Sequence, residues 1–276
     1  MLPEIFSNMI LISDMDDTLL MPDKSVSPEN LGALKEFRRL GGKFTVATGR
    51  SIPSYMRYHS LLKPDLPVIL NNGAVIYDPN SSTILWNTVL PKSAAAYVQD
   101  TISHFPDVGA EILTPQKMYV ANMTPVIQGH ISREHLCFEK ASWDTVPFPW
   151  FKVLFGAEED RLGALGQYLK EQNHPDVQYI YSSKRYCEML PIGSSKGSAM
   201  RQLIAMKGKQ NCIICGMGDF YNDLELIAFA DLGIAVGNAP SDVQAQADVV
   251  VCDNRSHAMV EVVEYLKSYA GALKKS

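Results

Sequence analysis

Short apolar runs that stop abruptly at polar residues punctuate both ends of the chain, while its middle follows a different rhythm. Residues 9–12 form an unbroken apolar run with β-branched members, the pattern of a strand buried on both faces. The run ends in Ser13, Asp14, Met15, Asp16, Asp17 and Thr18 before Leu19 and Leu20 restore apolar character. A helix is predicted next. Ser27 caps it, Pro28 takes the first helical position, and Leu31, Leu34, Phe37 and Leu40 form a stripe that Gly41 and Gly42 terminate. Residues 43–47 read as a second strand that again meets polar residues directly, at Thr48, Gly49 and Arg50. Residues 51–62 predict a helix with Pro53 in its first turn, and 67–70 a third strand leading to Asn71, Asn72 and Gly73. Residues 74–77 and 83–86 predict a β-hairpin.

From about Leu90 the texture changes. A helix is expected as far as Phe105, then alternating segments at 109–113 and 118–121, and a weakly patterned stretch through Pro147 and Pro149. A strand at 150–155 precedes an amphipathic helix at 158–171, with Leu162, Leu165 and Leu169 on one face, and a hairpin pairs 177–181 with 186–190. This block lacks the strand–acid–helix punctuation of the first seventy residues. It is expected to be a separate α+β unit, residues 87–188, inserted into a domain made of 1–86 and 189–276, with hinges near 86–90 and 190–193. Strand–helix alternation then resumes: helices at 196–207, 223–230, 240–246 and 256–269, and strands at 212–216, 232–236 and 249–252. The expected fold is α/β, a doubly wound parallel sheet carrying an α+β insertion.

Composition narrows the function classes. With 46% hydrophobic and 20% charged residues, the 276-residue chain has the make-up of a soluble globular protein with a sizeable core. A formal charge of −5 argues against a mainly electrostatic nucleic-acid binder. No apolar run approaches the roughly 20 residues of a membrane span. The first apolar run lacks a basic lead and stops at Asp14, so no signal peptide and a cytoplasmic setting are expected. Cys212 and Cys215 imitate a metal or redox pair, but residues three apart on a strand face opposite ways, so ordinary buried thiols are expected. His130 and His135, five apart, match no common metal-ligand spacing and read as surface or packed histidines. Trp143, Phe148, Trp150 and Phe151 read as core of the inserted unit rather than as a pocket lining.

Carboxylates at the carboxyl end of a buried strand sit where open parallel sheets bind ligands. Burying uncompensated acids costs several kcal/mol, so the Asp14–Asp17 cluster calls for a cation or a solvent-lined cleft, and Mg²⁺ is the economical cation. The competing reading is an acidic, solvated turn with Thr18 capping a helix. Other sites share the placement: Thr48 after the second strand, Lys196 opening a helix just past the insertion, and Asp219 and Asp223 after a late strand. A right-handed strand–helix–strand unit brings Thr48 to the sheet edge that carries Asp14. The chemistry such a set suits is phosphoryl transfer, in which a carboxylate attacking an anionic phosphate ester needs compensating positive charge. Asp14 would be the nucleophile, and Asp16 would protonate the leaving alcohol and later activate water, a task for which it must start protonated. Mg²⁺ would sit on Asp14 and Asp219, with Lys196 and Thr48 on phosphate oxygens.

The ordered set Asp14, Asp16 and Thr18; Thr48, Gly49 and Arg50; Lys196; and Gly218, Asp219, Asn222 and Asp223 resembles the haloacid dehalogenase (HAD) superfamily. More narrowly it is similar to the Cof-type phosphatases with a type IIB cap, whose pattern residues 71–74 and 237–239 also match. The resemblance implies a Rossmann-like core under a mobile α/β cap. It implies metal ligation by the Asp14 carboxylate, the Asp16 carbonyl and the Asp219 carboxylate, with Asp223 behind these ligands. It places Asn222 near the phosphate with Thr48, Gly49 and Lys196. Arg50 would contact substrate at the mouth, or else be a surface arginine pairing with a nearby acid. Asp17, where the family often has glycine, reads as a turn residue with no chemical duty. The implied activity is Mg²⁺-dependent hydrolysis of small phosphate esters (sugar phosphates, FMN or pyridoxal phosphate) through an aspartyl-phosphate. A phosphomutase or phosphotransferase, and a non-catalytic phospholigand-binding regulator, are the alternatives.

Overall fold

Strand β1 (Met9–Ser13) is buried throughout, and its alternating side chains serve two cores, Met9 and Leu11 on one face of a sheet, Ile10 and Ile12 on the other. In a computed structural model that describes residues 4–273, it is followed by α1 (Pro28–Arg39), β2 (Lys43–Val46) and α2 (Ile52–Leu62). Next come β3 (Val68–Leu70), β4 (Val75–Asp78) and β5 (Thr83–Asn87). The middle block supplies α3 (Ala94–His104), β6 (Gly109–Leu113), β7 (Met118–Asn122), α4 (Pro125–Glu134) and β8 (Phe138–Lys140), then β9 (Lys152–Gly156), α5 (Glu159–Gln172), β10 (Val177–Ser183) and β11 (Tyr186–Pro191). The chain closes with α6 (Lys196–Met206), β12 (Ile213–Gly218), α7 (Leu224–Phe229), β13 (Leu232–Val236), α8 (Ser241–Gln244), β14 (Val249–Val251) and α9 (Ala258–Leu273).

The central sheet runs β14-β13-β12-β1-β2 with every pair parallel. Leu34 and Phe37 of α1 and Met259, Val262 and Leu266 of α9 cover one face. Ala199, Met200 and Leu203 of α6 and Leu226 of α7 cover the other. This is the expected doubly wound sheet, and its parallel strands deliver their carboxyl ends to one edge. Cys215 points into the first core and Cys212 toward the second, so the two thiols do lie on opposite faces. Strand β3 touches the central sheet through one parallel bridge, Ala47 to Ile69, and pairs with β4 and β5 in a small antiparallel sheet.

A second sheet, β10-β11-β9-β6-β7-β8, is antiparallel except for the β7–β8 pair. Its residues Ala110, Ile112, Val153, Phe155 and Met189 pack on α3 and α5, whose Val98, Leu162, Leu165 and Leu169 complete that core. The opposite face carries Glu111, Leu113, Lys152, Leu154 and Glu188, partly covered by Ile127 and Ile131 of α4. The sequence reading has no helix at α4. Its start is conventional, with Thr124 accepting a hydrogen bond from the Ile127 amide at 3.4 Å and Pro125 in the first turn, but Gly129 and two polar residues dilute the apolar stripe. The last strand of this sheet runs on to Pro191, so the expected segment 189–276 opens inside β11. None of the described helices is long and apolar enough to cross a membrane.

Candidate active site

The turn after β1 leaves the sheet at Asp14, whose amide still bonds to the Met217 carbonyl of β12 at 2.8 Å. Asp17 takes a positive φ of 56°, a conformation aspartate adopts more readily than most residues, as the sequence reading requires. Thr18 is buried and caps no helix; its Oγ1 donates to Asp219 Oδ1 at 2.8 Å. Strand β12 ends at Gly218, and a Cβ there would overlap the Asp223 side chain, so glycine lets the next turn fold back on the strand. That turn brings one carboxylate oxygen each from Asp14, Asp219 and Asp223 within 4.8 Å of one another, all buried.

Among the described residues one cation reaches this cluster. Lys196 opens α6 behind the cap of Ser195, whose Oγ accepts the Ser198 amide at 2.9 Å. Its ammonium donates to Asp14 Oδ1 at 2.7 Å and to Asp223 Oδ1 at 2.6 Å, and is 1% exposed. An ammonium has three donors, so one remains. The second Asp223 oxygen accepts the Asp219 and Phe220 amides at 3.0 and 3.2 Å. Burial pushes the Asp14 carboxyl up to about 7, against the pull of Lys196 and with Asp223 adding repulsion. Burial, then Asp223 and Asp14, raise Asp219 well above the usual carboxylate range. Lys196 is raised too, because its two carboxylates outweigh its burial. The position of Lys196 depends on a neighbouring turn. Gly73, at φ +94°, packs so closely on Ser195 that a Cβ would overlap its carbonyl oxygen.

Nearer solvent, Asp16 meets a different environment. Arg50 grips it through two bonds of 2.7 Å, and Lys24 stands 2.9 Å from Oδ1. Enclosure by protein raises the Asp16 carboxyl, but Arg50 and Lys24 more than offset it and hold it down at about 2. The two cations therefore favour the ionised form of Asp16, whereas the expected acid must start protonated. Arg50 is 6% exposed and no surface residue. It also donates to Ser54 at 2.7 Å and to Glu134 of α4, and it lies over the Tyr58 ring at 4.9 Å. Thr48 Oγ1 accepts the Arg50 amide at 3.2 Å, which leaves its own O–H proton unused by that bond.

Asn222 donates to Asn72 Oδ1 at 3.0 Å, and Asn72 Nδ2 donates to Glu188 Oε2 at 2.8 Å. Lys152 bonds both Glu188, at 2.6 Å, and the Gly49 carbonyl, at 2.8 Å. This buried relay ties the second sheet to the loops that carry Gly49 and Asn222, and neither Lys152 nor Glu188 figured in the sequence reading.

A cavity of about 720 Å³ opens between the two sheets. Asp14, Asp16, Thr48, Gly49, Arg50, Asp219 and Asn222 line it, while Lys196 and Asp223 stand behind its wall. Trp143, Phe148, Trp150 and Phe151 do not line it; Phe148 stacks on the buried Trp150 at a centroid distance of 4.3 Å. Trp143, Phe148 and Trp150 pack in the core of the inserted unit as expected, whereas Phe151 joins the core of the central sheet instead.

The donor set suits a divalent cation on its own chemistry. Three carboxylates surround one ammonium, so the ionised cluster carries surplus negative charge, and hard oxygen donors are what Mg²⁺ takes. Residues 11–263 match the haloacid dehalogenase-like hydrolase family. The chain is 31% identical over 236 residues to the HMP-PP phosphatase of Serratia proteamaculans, covering 82% of each protein. It is 23% identical over 269 residues to the pyridoxal phosphate phosphatase YbhA of Escherichia coli, covering 92% of this chain and 97% of that protein. The fold is shared with the HAD subclass IIB sugar phosphatase BT4131, with a TM-score of 0.82 at 17% identity over 94% of this chain and 98% of that one. The chain belongs to the haloacid dehalogenase-like hydrolase family, as a Cof-type phosphatase.

Proposed function

We propose that the protein is a Mg²⁺-dependent phosphomonoesterase of small phosphorylated metabolites that works through an aspartyl-phosphate on Asp14. The observation that carries this reading is the cluster of three buried carboxylates around a single lysine, facing a cavity at the strand ends. The Asp14 and Asp219 carboxylates, with the Asp16 carbonyl that family resemblance adds, would hold the ion. When bound, Mg²⁺ supplies the positive charge that lets a carboxylate approach an anionic phosphate.

The protein's own groups account for the rest. Lys196 engages one Asp14 oxygen, fixing the carboxylate and favouring its ionised form while the other oxygen attacks phosphorus. As that bond forms, the bond from phosphorus to the leaving oxygen breaks, and Asp16 gives the departing alkoxide its proton. Asp16 then takes a proton from water, whose oxygen displaces Asp14 and releases phosphate. The Thr48 hydroxyl, which lines the cavity, is placed to hold a phosphate oxygen, while Lys196 acts from behind the wall through Asp14. The first proton on Asp16 comes from solvent in the open cavity, and Arg50 and Lys24 govern whether the carboxyl can keep it. A phosphate dianion competes for Arg50 and Lys24, and once they turn to it, the burial that already raises Asp16 prevails.

The test is phosphate release from about 100 phosphorylated metabolites, pyridoxal phosphate first, with and without Mg²⁺. Release that requires Mg²⁺ and falls by at least about 10³-fold in Asp14→Asn is expected, the scale of losing a nucleophile. Full activity in Asp14→Asn overturns the nucleophile, and metal-independent release overturns the ion site. Isomerised sugar phosphate in place of free phosphate would establish phosphotransfer instead.

A further inference from the structure

The cap face of the cavity carries a hydrogen-bonded carboxylate–imidazole pair with no part in the chemistry above. Glu111 sits in the middle of β6 and is 1% exposed. Its sheet neighbours are Leu154 on β9 and Val120 on β7, and Leu113 follows it on the same face. An apolar residue would pack there without penalty, whereas a buried carboxylate is costly unless paired. Its partner is His130 of α4, whose Nδ1 lies 2.8 Å from Glu111 Oε1. Both residues line the cavity, and the Tyr186 ring stands 4.9 Å from the imidazole. Because a carboxylate only accepts, Nδ1 carries the proton of this bond. Nε2 is left as the uncommitted ring nitrogen, with no partner among the described residues, and in the neutral imidazole it is an acceptor.

We propose that His130 determines specificity, reading a hydroxyl or ring N–H on the leaving-group end of the substrate, and that Glu111 is the positioning residue that fixes its tautomer and orientation. The surroundings define the ligand class further. On this sheet face Lys152 and Glu188 are committed to each other, to the Gly49 carbonyl and to Asn72, so Leu113, Met118 and Leu154 give an apolar surface beside the Glu111–His130 pair with its uncommitted nitrogen. Such a wall suits a flat ring with one hydrogen-bonding edge better than a sugar, whose many hydroxyls would each need a partner. The preferred substrate is therefore a phosphomonoester whose alcohol carries a polar-edged aromatic ring. This assignment rests on the phosphatase reading of the same cavity.

The test compares the full-length protein with His130→Ala, Glu111→Gln and Glu111→Leu on two probes, pyridoxal phosphate and phenyl phosphate. The second has the flat ring without the polar edge. In His130→Ala and Glu111→Leu, kcat/KM for pyridoxal phosphate is expected to fall roughly 10- to 100-fold, chiefly through KM, the size of effect of an unpaired hydrogen-bonding group in a site. Phenyl phosphate turnover should stay within about twofold, and Glu111→Gln should fall between, since its amide oxygen still accepts. Equal losses on both probes, or no loss on either, overturn the assignment. Equilibrium dialysis of pyridoxal phosphate against Asp14→Asn, with and without His130→Ala, separates the two readings. If neither ester is hydrolysed but His130→Ala still weakens this binding about tenfold, the phosphatase reading falls and the His130 assignment stands. If hydrolysis is intact and the dialysis shows no difference, the assignment falls alone.

Discussion

Asp14 and Asp16 are two residues apart on one turn, yet their surroundings push their carboxyls in opposite directions. Around Asp14 the charges are core-only and out of balance, with Asp14 and Asp223 sharing Lys196 and Asp219 held, among the described residues, only by the Thr18 hydroxyl. Around Asp16 they are nearer balance and drawn from further afield, with two cations, Arg50 and Lys24, facing three acids, Asp16, Asp17 and Glu134 of α4. An unbalanced buried cluster stores an affinity for whatever brings positive charge. One nearer balance releases its acid only when a ligand takes the cations away. In the proposed mechanism the difference separates a nucleophile and metal ligand from a group that must change protonation during the reaction.

The largest effect expected from breaking this contrast is in Lys196→Met. Removing the one cation leaves Asp14 and Asp223 buried and unpaired, so urea unfolding should show a loss of about 3–5 kcal/mol along with activity. A variant as stable as the parent would mean that the cluster is not ionised as drawn. Next is the metal. Saturation at about 100 times its Kd should add roughly 2.7 kcal/mol, read as a Tm several degrees higher, and Asp219→Asn should abolish that rise. Without metal, pH acts in a fixed direction. Asp14, at about 7 when folded against 3.8, keeps a proton that the unfolded chain has released, and Asp219 is shifted the same way. Their contribution to stability therefore declines as pH rises from about 4 to about 7. Asp16, lowered to about 2, contributes oppositely, adding stability above 3.8 that is lost as pH falls toward 2. A Tm profile that falls between pH 4 and 7 without Mg²⁺, and flattens with it, is expected.

Weaker effects belong to the mouth. Arg50→Gln should lower kcat/KM roughly 10- to 100-fold, the value of a charge-assisted hydrogen bond, and leave the Mg²⁺-induced rise in Tm in place. Loss of that rise would show that the two clusters are one unit. Lys24→Gln, at a pair open to solvent, should change stability by no more than about 1 kcal/mol in denaturant titration.

The catalytic edge was legible because each buried parallel strand announces itself as an apolar run, and the polar residues that follow it must share one edge. Asp14, Thr48 and Asp219 emerge from that rule alone. Lys196 needed the placement of the insertion as well. The cap face was not legible for the same physical reason inverted. A charged residue within a strand normally marks the solvent side, and only pairing makes Glu111, Lys152 and Glu188 internal. Their partners come from other elements, His130 on α4 for Glu111 and Asn72 in a core turn for Glu188. The burial of Arg50 was hidden in a related way, since the acids that pair with it lie 34 and 84 residues away.

The tight seat of Gly73 against Ser195 bears on how freely this architecture can exchange caps. The cap sheet ends at Pro191, and Lys196 opens the next helix, so an incoming cap must return the chain within that short connector. The place where it lands is a missing methyl group, the space that Gly73 leaves for the Ser195 carbonyl. A graft that kept every reactive side chain but changed residue 73 would displace the lysine they depend on. In a substitution scan, position 73 should tolerate as little as position 196, though it contributes no functional group at all.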